Sequence, residues 1–210
     1  SGITCYIAEQ LGYLFPECKI FFVFRRQDTW VESVYKQTLH LGFSIKPNDF
    51  IGFRKNKFGP IYRQNYIQLS LNVLQLDWTK ILDNYKKVFG KDNGLALPYE
   101  MMVDDRDAFL QKLYDFSEMT AYFPQENSRE NRSYSSASAK IAYYVNKVIP
   151  TRPGKAAVRH ALQERLDRFY YRPANLIEPD ISARILDMYK ESNRSLQSSS
   201  EVDLEQYGYF

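Results

Sequence analysis

The fold is decided by the stretch Lys19–Gln37, whose sequence is KIFFVFRRQDTWVESVYKQ. Residues 19–24 are predicted to be a strand, since Lys19 is followed by a continuous apolar run of strand length. Unbroken apolarity, rather than alternation, is typical of a strand that is buried on both faces of a parallel sheet. The run stops at Arg25, and Asp28 is a good N-cap for a helix. Apolar residues at helical spacing then predict a helix that ends near Gly42.

The rest of the chain repeats this alternation of strand and helix. A second short apolar strand is predicted over residues 94–98, residues 43–66 are predicted to be a long irregular excursion, and residues 124–138 a polar loop. Periodic apolar residues predict further helices over residues 3–15, 66–89, 107–116, 138–148, 155–169 and 180–196. This order indicates one α/β domain with parallel strands over residues 1–210.

The composition excludes several classes of protein. Hydrophobic residues make up 44% of the chain and charged residues 25%, as in an ordinary globular domain. Lys and Arg number 28 against 25 Asp and Glu, and the resulting charge of +3 is too small to indicate a nucleic-acid partner. Cys5, Cys18 and two distant histidines predict neither a disulfide framework nor a metal site. No apolar run reaches the ~20 residues of a membrane span.

The chemically informative residues are Arg25 and Ser33. Arg25 comes directly after a predicted parallel strand, where open α/β sheets gather their ligands. Ser33 follows eight residues later, a little over one turn into the predicted helix. A guanidinium and a hydroxyl that converge on one point can bind a phosphate or sulfate group. Placement alone equally allows a second reading, in which Arg25 and Arg26 cap the sheet edge and pair with carboxylates such as that of Glu100.

The spacing of these residues resembles the 3′-phosphate-binding motif of sulfotransferases that use 3′-phosphoadenosine 5′-phosphosulfate. The resemblance implies that Arg25 and Ser33 hold the 3′-phosphate of the nucleotide, and it gives Arg26 no fixed role. It also implies a P-loop-like three-layer fold, with a central parallel sheet flanked by helices. The phosphosulfate would be a co-substrate, and no metal would be required.

Three further segments resemble the same family, so the resemblance covers almost the whole chain. Residues 95–119 are similar to the family's segment of strand, Tyr-Glu, acidic loop and helix, and Tyr99 and Glu100 would then be structural. Residues 131–138 resemble the late loop that closes over the nucleotide. Arg129 and Arg132 of the polar loop would then add cations to its phosphates, and the alternative is that they lie in an exposed loop. The ending of the chain looks like the carboxyl end of bacterial-type carbohydrate sulfotransferases.

One departure from the family concerns the amino-terminal end. The family opens with a strand and a phosphate-binding loop of the pattern Lys/Arg, Ser/Thr, Gly, Thr/Ser, Thr, and this sequence contains no such loop. The expectation is that the loop precedes Ser1 in the full protein. The catalytic base of the family lies some twenty residues before the motif arginine, so we expect it at or upstream of Ser1.

The remaining candidates have simpler explanations. His40 is expected to be a positively charged partner of the carboxyl end of its helix, with a general base as the alternative. His160 is expected to lie on a solvated helix face. The excursion over residues 43–66 could bind an anionic, sugar-like acceptor, or be a surface loop. Its basic residues are Arg54, Lys55, Lys57 and Arg63, and its aromatic residues include Phe53, Phe58 and Tyr62.

The resulting hypothesis is a sulfotransferase that acts on an acceptor hydroxyl, expected to be that of a carbohydrate, in the cytoplasm, or in the Golgi lumen of a eukaryote. Its partners are the nucleotide donor and the acceptor, with no nucleic acid and no membrane span. The alternative is a non-catalytic module that binds a nucleotide or another anion on the same fold.

Overall fold

A computed structural model of the protein describes residues 2–61, 70–123, 135–149, 176–200 and 202–210. The α-helices in this part of the chain are α1 (Gly2–Leu14), α2 (Gln27–His40), α3 (Pro47–Phe50), α4 (Trp78–Phe89), α5 (Tyr99–Asp104), α6 (Arg106–Ser117), α7 (Ser136–Val148) and α8 (Pro179–Ser200). The strands are β1 (Ile20–Phe24), β2 (Phe53–Arg54), β3 (Lys57–Phe58) and β4 (Gly94–Pro98). Two 3₁₀ turns cover Val73–Gln75 and Glu205–Tyr207.

The chain is divided into two compact units that alternate along the sequence. The first unit contains residues 1–27, 75–127 and 186–210, and the second contains residues 28–74 and 128–185. The division therefore falls inside α2, directly after Gln27, and inside α8, directly after Ile185. The single domain expected over residues 1–210 stays a prediction.

The first unit is built on the parallel pair of strands that the apolar runs predict. β1 pairs with β4 in parallel, with Ile20 opposite Gly94 and Phe24 opposite Pro98. Aromatic side chains of β1 contact the neighbouring helices: the ring of Phe21 lies 5.8 Å from that of Phe109. The prediction that these two strands are parallel neighbours is therefore confirmed. In the described residues the parallel sheet has two strands, so the three-layer P-loop-like arrangement stays a prediction.

Helix α4 begins later than its apolar periodicity predicts. Asp77 is the N-cap of α4, and its carboxylate accepts a hydrogen bond of 3.2 Å from the backbone N–H of Lys80. Burial alone would raise the pKa of Asp77, but hydrogen bonds from Ser192 and Lys80 and the Lys80 charge together lower it. The prediction of one helix over 66–89 is thus wrong for residues 70–77, which contain only the 3₁₀ turn Val73–Gln75. The reason is that the Asp77 side chain caps the N–H groups of the first turn, so the helix begins at Trp78.

The second unit is organised around the buried face of α2. This face consists of Val31, Tyr35, Thr38 and Leu39, each of which is buried. The hydroxyl of Tyr35 donates a hydrogen bond of 2.8 Å to the carbonyl of Ile45. Helix α2 begins at Gln27, so Asp28 lies in its first turn and is not the N-cap. A carboxylate in the first turn still favours the positive end of the helix dipole.

The segment predicted as an irregular excursion contains regular structure. It holds the short helix α3 and the antiparallel hairpin β2–β3, in which Phe53 pairs with Phe58. The turn residues Lys55 and Asn56 both have positive φ, 49° and 63°, as a two-residue hairpin turn of the type I′ kind requires. The turn residues are Lys-Asn rather than the usual Asn-Gly, and each strand has only two residues, so neither a turn signal nor an alternating pattern predicts the hairpin. Residues 62–66 of this segment, residues 124–134 of the predicted polar loop and the helix predicted over 155–169 lie outside the described residues. The prediction of a loop is wrong for residues 136–138, which belong to α7, because the side chain of Ser135 caps that helix by accepting the N–H of Ser138.

The contact between α1 and α4 depends on the absence of a side chain at Gly12. A Cβ at this position would overlap the Cγ1 atom of Val88 on α4. We expect Gly12→Ala to lower the free energy of unfolding by about 1 kcal/mol, because overpacking costs ~1–3 kcal/mol and alanine recovers ~1 kcal/mol of helix propensity. In a Val88→Ala background the obstructing methyl is gone, and Gly12→Ala should raise the free energy of unfolding by about 1 kcal/mol, the gain in helix propensity alone. Chemical denaturation of the four chains measures this, and an equal loss in both backgrounds would contradict the close approach.

Candidate functional site

The candidate site of the first unit lies at the carboxyl ends of β1 and β4. Because the two strands are parallel and Phe24 pairs with Pro98, the residues after both strands leave the sheet at the same edge. β1 is followed by Arg25, Arg26 and Gln27, and β4 by Tyr99 and Glu100. The two arginines are half-buried and Gln27 is fully buried. The site therefore combines cations with aromatic and acidic groups from two chain segments.

Arg25 is held on both its backbone and its side chain. Its guanidinium lies over the ring of Tyr99, with 4.8 Å between the guanidinium carbon and the ring centroid. Its carbonyl accepts a hydrogen bond of 2.8 Å from the indole N–H of Trp78. Cation–π stacking uses the face of the guanidinium plane, whereas a phosphate binds the N–H groups within that plane. Stacking on Tyr99 is therefore compatible with binding of an anion.

Glu100 is tied to the end of β1 by the backbone of Arg26. One carboxylate oxygen accepts the Arg26 N–H at 3.1 Å, and the other accepts the hydroxyl of Tyr209 at 2.8 Å. A guanidinium nitrogen of Arg26 lies 3.5 Å from the carbonyl of Tyr207. Glu100 thus contacts the arginine segment through the main-chain N–H of Arg26.

Tyr209 is the buried member of this network that the sequence does not single out. It has no exposed surface, and its ring packs edge-on against Phe24 with 5.8 Å between centroids. Burial raises the pKa of the Tyr209 hydroxyl, and the negative charge of Glu100 raises it further. The hydroxyl is therefore protonated at neutral pH and acts as a hydrogen-bond donor.

A buried pair of amides lies beside this network. The side chains of Gln27 and Asn193 donate to each other at 2.7 and 3.0 Å, and Asn193 also donates to the carbonyl of Tyr209 at 3.1 Å. Gln27 is 0% and Asn193 1% exposed. Hydrophobic periodicity identifies buried apolar residues only, so the sequence did not predict that these two polar side chains are buried. The only signal for Asn193 is its place on the apolar face of α8, in line with Tyr189 and Leu196.

The other predicted ligand residues lie in the second unit or outside the described residues. Ser33 lies in α2, is exposed and belongs to the second unit. The pairing of Arg25 with Ser33 therefore stays a prediction. Arg129, Arg132 and His160 lie outside the described residues. His40 is exposed in the last turn of α2, the position at which a cation favours the helix dipole.

The basic excursion presents its cations on the β2–β3 hairpin of the second unit. Arg54 forms an exposed ion pair with Asp49 at 3.2 Å. The guanidinium of Arg184 lies over the ring of Phe53 at 5.8 Å and donates a hydrogen bond of 3.3 Å to the carbonyl of Asn56. These contacts order the hairpin, and no contact among them identifies an acceptor.

The described residues show neither the side-chain grouping of a metal site nor a helix that could span a membrane. Within these residues, no group of three or more His, Cys, Asp or Glu side chains has the arrangement of a metal site. No helix in the described ranges combines the length and apolarity needed to cross a bilayer.

Removal of both members of the buried amide pair should cost less than the sum of the two single removals. Asn193→Leu leaves the Gln27 amide buried without its partner, and we expect a loss of about 1–3 kcal/mol in the free energy of unfolding. Gln27→Met should cost a similar amount. The double variant replaces both groups with apolar side chains of similar shape and should cost less than the sum of the single losses. Denaturant unfolding of the four chains gives the coupling energy, and additive losses would show that the two amides do not interact.

Comparisons with known proteins add no relative to this description. No family model, no curated protein and no solved structure matches the chain. The functional assignment therefore depends on the motif in the sequence and on the contacts around Arg25.

Proposed function

We propose that this chain acts as a sulfotransferase that moves a sulfuryl group from 3′-phosphoadenosine 5′-phosphosulfate to an acceptor hydroxyl, that of a carbohydrate. The observation that carries the proposal is the position of Arg25. It follows β1 directly, beside the carboxyl end of the parallel strand β4, and its guanidinium lies over Tyr99. Ligands of open α/β sheets bind beyond the carboxyl ends of the strands, so Arg25 is placed where an anionic nucleotide would be met.

In this proposal Arg25 binds the 3′-phosphate of the donor. A guanidinium presents N–H groups in a rigid fork that matches two phosphate oxygens, and the stack on Tyr99 limits its rotation. The hydroxyl of Ser33 would donate to the same phosphate, as the motif spacing suggests. Both contacts would set the preference for a nucleotide that carries a 3′-phosphate.

The chemistry of sulfuryl transfer suits a site that works by position and charge. By analogy with phosphoryl transfer, the group passes in line between two oxygens through a loose transition state. Holding the donor in one orientation then supplies a large part of the rate enhancement. In this proposal Arg25 and Ser33 bind the donor, and no described residue is assigned to proton transfer from the acceptor.

The first test of the proposal is nucleotide preference. We expect 3′-phosphoadenosine 5′-phosphate to bind more tightly than adenosine 5′-phosphate, because only the former offers a phosphate to Arg25 and Ser33. Isothermal titration calorimetry on the full-length protein measures both affinities. Equal affinities would refute the assignment of the 3′-phosphate. A clear preference without sulfuryl transfer to any saccharide would favour the non-catalytic binding module.

The second test separates ligand binding from a structural role of Arg25. Arg25→Ala should weaken binding of 3′-phosphoadenosine 5′-phosphate about ten- to a hundredfold, because it removes a charge-assisted contact. Arg25→Ala should not unfold the protein in the absence of nucleotide, because Arg25 is half-buried at the edge of the sheet. Ser33→Ala should weaken binding by a smaller factor, since it removes one neutral donor.

Arg184→Ala is the matched control for Arg25→Ala. It removes the same charge and also a guanidinium stacked on an aromatic ring, that of Phe53. Nucleotide affinity should be unchanged in this variant. A marked fall in melting temperature for Arg25→Ala, with unaltered nucleotide affinity, would assign Arg25 to the sheet edge as a structural residue.

A further inference from the structure

The carboxyl-terminal segment Val202–Phe210 packs into the first unit as a folded element. Val202, Leu204 and Tyr209 are buried, and the segment contains the 3₁₀ turn Glu205–Tyr207. The N–H of Leu204 donates a hydrogen bond of 2.8 Å to the side-chain carbonyl of Gln197 on α8. This bond fixes the direction in which the segment leaves the helix. The segment is therefore held by apolar burial and by specific hydrogen bonds.

The segment lies against the residues that follow β1, directly at Arg26 and through Asn193 at Gln27. The carbonyl of Tyr207 lies 3.5 Å from a guanidinium nitrogen of Arg26. Gly208 has a φ of 71°, in the left-handed region that glycine adopts most readily, and a Cβ on it would lie 3.1 Å from the same Arg26 nitrogen. The carbonyl of Tyr209 is bound by Asn193, whose amide is paired with Gln27.

The most specific contact is the chain of hydrogen bonds from Tyr209 through Glu100 to Arg26. The Tyr209 hydroxyl donates to one carboxylate oxygen at 2.8 Å, and the other oxygen accepts the Arg26 N–H at 3.1 Å. Both bonds involve an ionised acceptor, and such bonds are stronger than those between neutral groups. The hydroxyl thus restrains the carboxylate that holds the backbone immediately after Arg25.

We propose that Tyr209 is a positioning residue, which acts through Glu100 to hold the segment Arg25–Gln27 and so the guanidinium of Arg25. This inference rests on the proposed function, in which Arg25 binds the 3′-phosphate. Packing alone does not account for a tyrosine at this position. The ring contact with Phe24 would be equally served by phenylalanine, and a buried hydroxyl costs free energy unless it is hydrogen-bonded.

The test compares Tyr209→Phe with Tyr207→Phe. Tyr209→Phe keeps the ring on Phe24 and removes the bond to Glu100. Tyr207→Phe is the matched control, because it removes a tyrosine hydroxyl from the same segment and its contact with Arg26 is made by a backbone carbonyl. Amide hydrogen exchange without nucleotide reports on the Arg26 N–H. Calorimetry with 3′-phosphoadenosine 5′-phosphate and with adenosine 5′-phosphate, at a temperature where every chain is folded, reports on the site.

In Tyr209→Phe we expect exchange at Arg26 to rise about tenfold, and affinity for 3′-phosphoadenosine 5′-phosphate to fall about three- to tenfold, as the loss of one bond to a charged group predicts. Affinity for adenosine 5′-phosphate should not change, because that nucleotide lacks the 3′-phosphate that Arg25 is proposed to bind. Tyr207→Phe should alter neither quantity. The ratio of the two affinities therefore reports on the positioning of Arg25. A loss of global stability would lower both affinities equally and leave this ratio unchanged.

Each other result overturns a defined part of the inference. Unchanged exchange at Arg26 in Tyr209→Phe would show that the hydroxyl does not restrain this segment. Faster exchange with an unaltered ratio of affinities would show that Tyr209 stabilises the fold without positioning Arg25. A wild-type chain that does not distinguish the two nucleotides would overturn the proposed function and the positioning role together, while the exchange result would still decide whether Tyr209 restrains Arg26.

Discussion

The carboxylate of Glu100 joins three parts of the first unit that lie far apart in sequence. It follows β4, accepts the N–H of Arg26 after β1 and accepts the hydroxyl of Tyr209 near the carboxyl end. A half-buried carboxylate is costly unless its oxygens are hydrogen-bonded, so each of the three segments depends on the position of the other two. The parallel register of β1 and β4 makes this possible, because it delivers Arg26 and Glu100 to the same edge. The surroundings of Arg25 are therefore set by the sheet and the terminal segment together.

Apolar packing and polar contacts have different roles in this unit. The apolar residues of β1, β4 and α4 bring the elements together, since burial of hydrocarbon is strong but not directional. The directional contacts lie at the strand ends: the amide pair Gln27–Asn193, the bond from Trp78 to the Arg25 carbonyl, and the bond from Tyr209 to Glu100. They contribute modest net stability, but an unmatched partner in this environment is expensive. Such contacts select one arrangement of the segment 25–27 from those that packing alone would permit.

This arrangement gives the proposed donor site a physical basis. A guanidinium on a flexible side chain loses considerable rotamer entropy when it binds a phosphate. The stack on Tyr99 and the fixed carbonyl of Arg25 meet part of that cost before any ligand arrives. Preorganisation of this kind raises affinity without adding a contact to the ligand. The surroundings of Arg25 thus matter to the proposal as much as the residue itself.

The sequence by itself determined the two strands, their parallel pairing, the approximate helices and the position of Arg25 at a strand end, because unbroken apolar runs and helical periodicity are local properties. It predicted α4 too long and missed the β2–β3 hairpin, where an N-cap at Asp77 and a left-handed Lys55–Asn56 turn override periodicity. Only the tertiary structure decided that Glu100 binds the backbone of Arg26, that Gln27 pairs with Asn193, and that Tyr209 completes the network. Those partners are separated by 74 to 166 residues, and no local pattern specifies which distant polar groups meet when the apolar core forms.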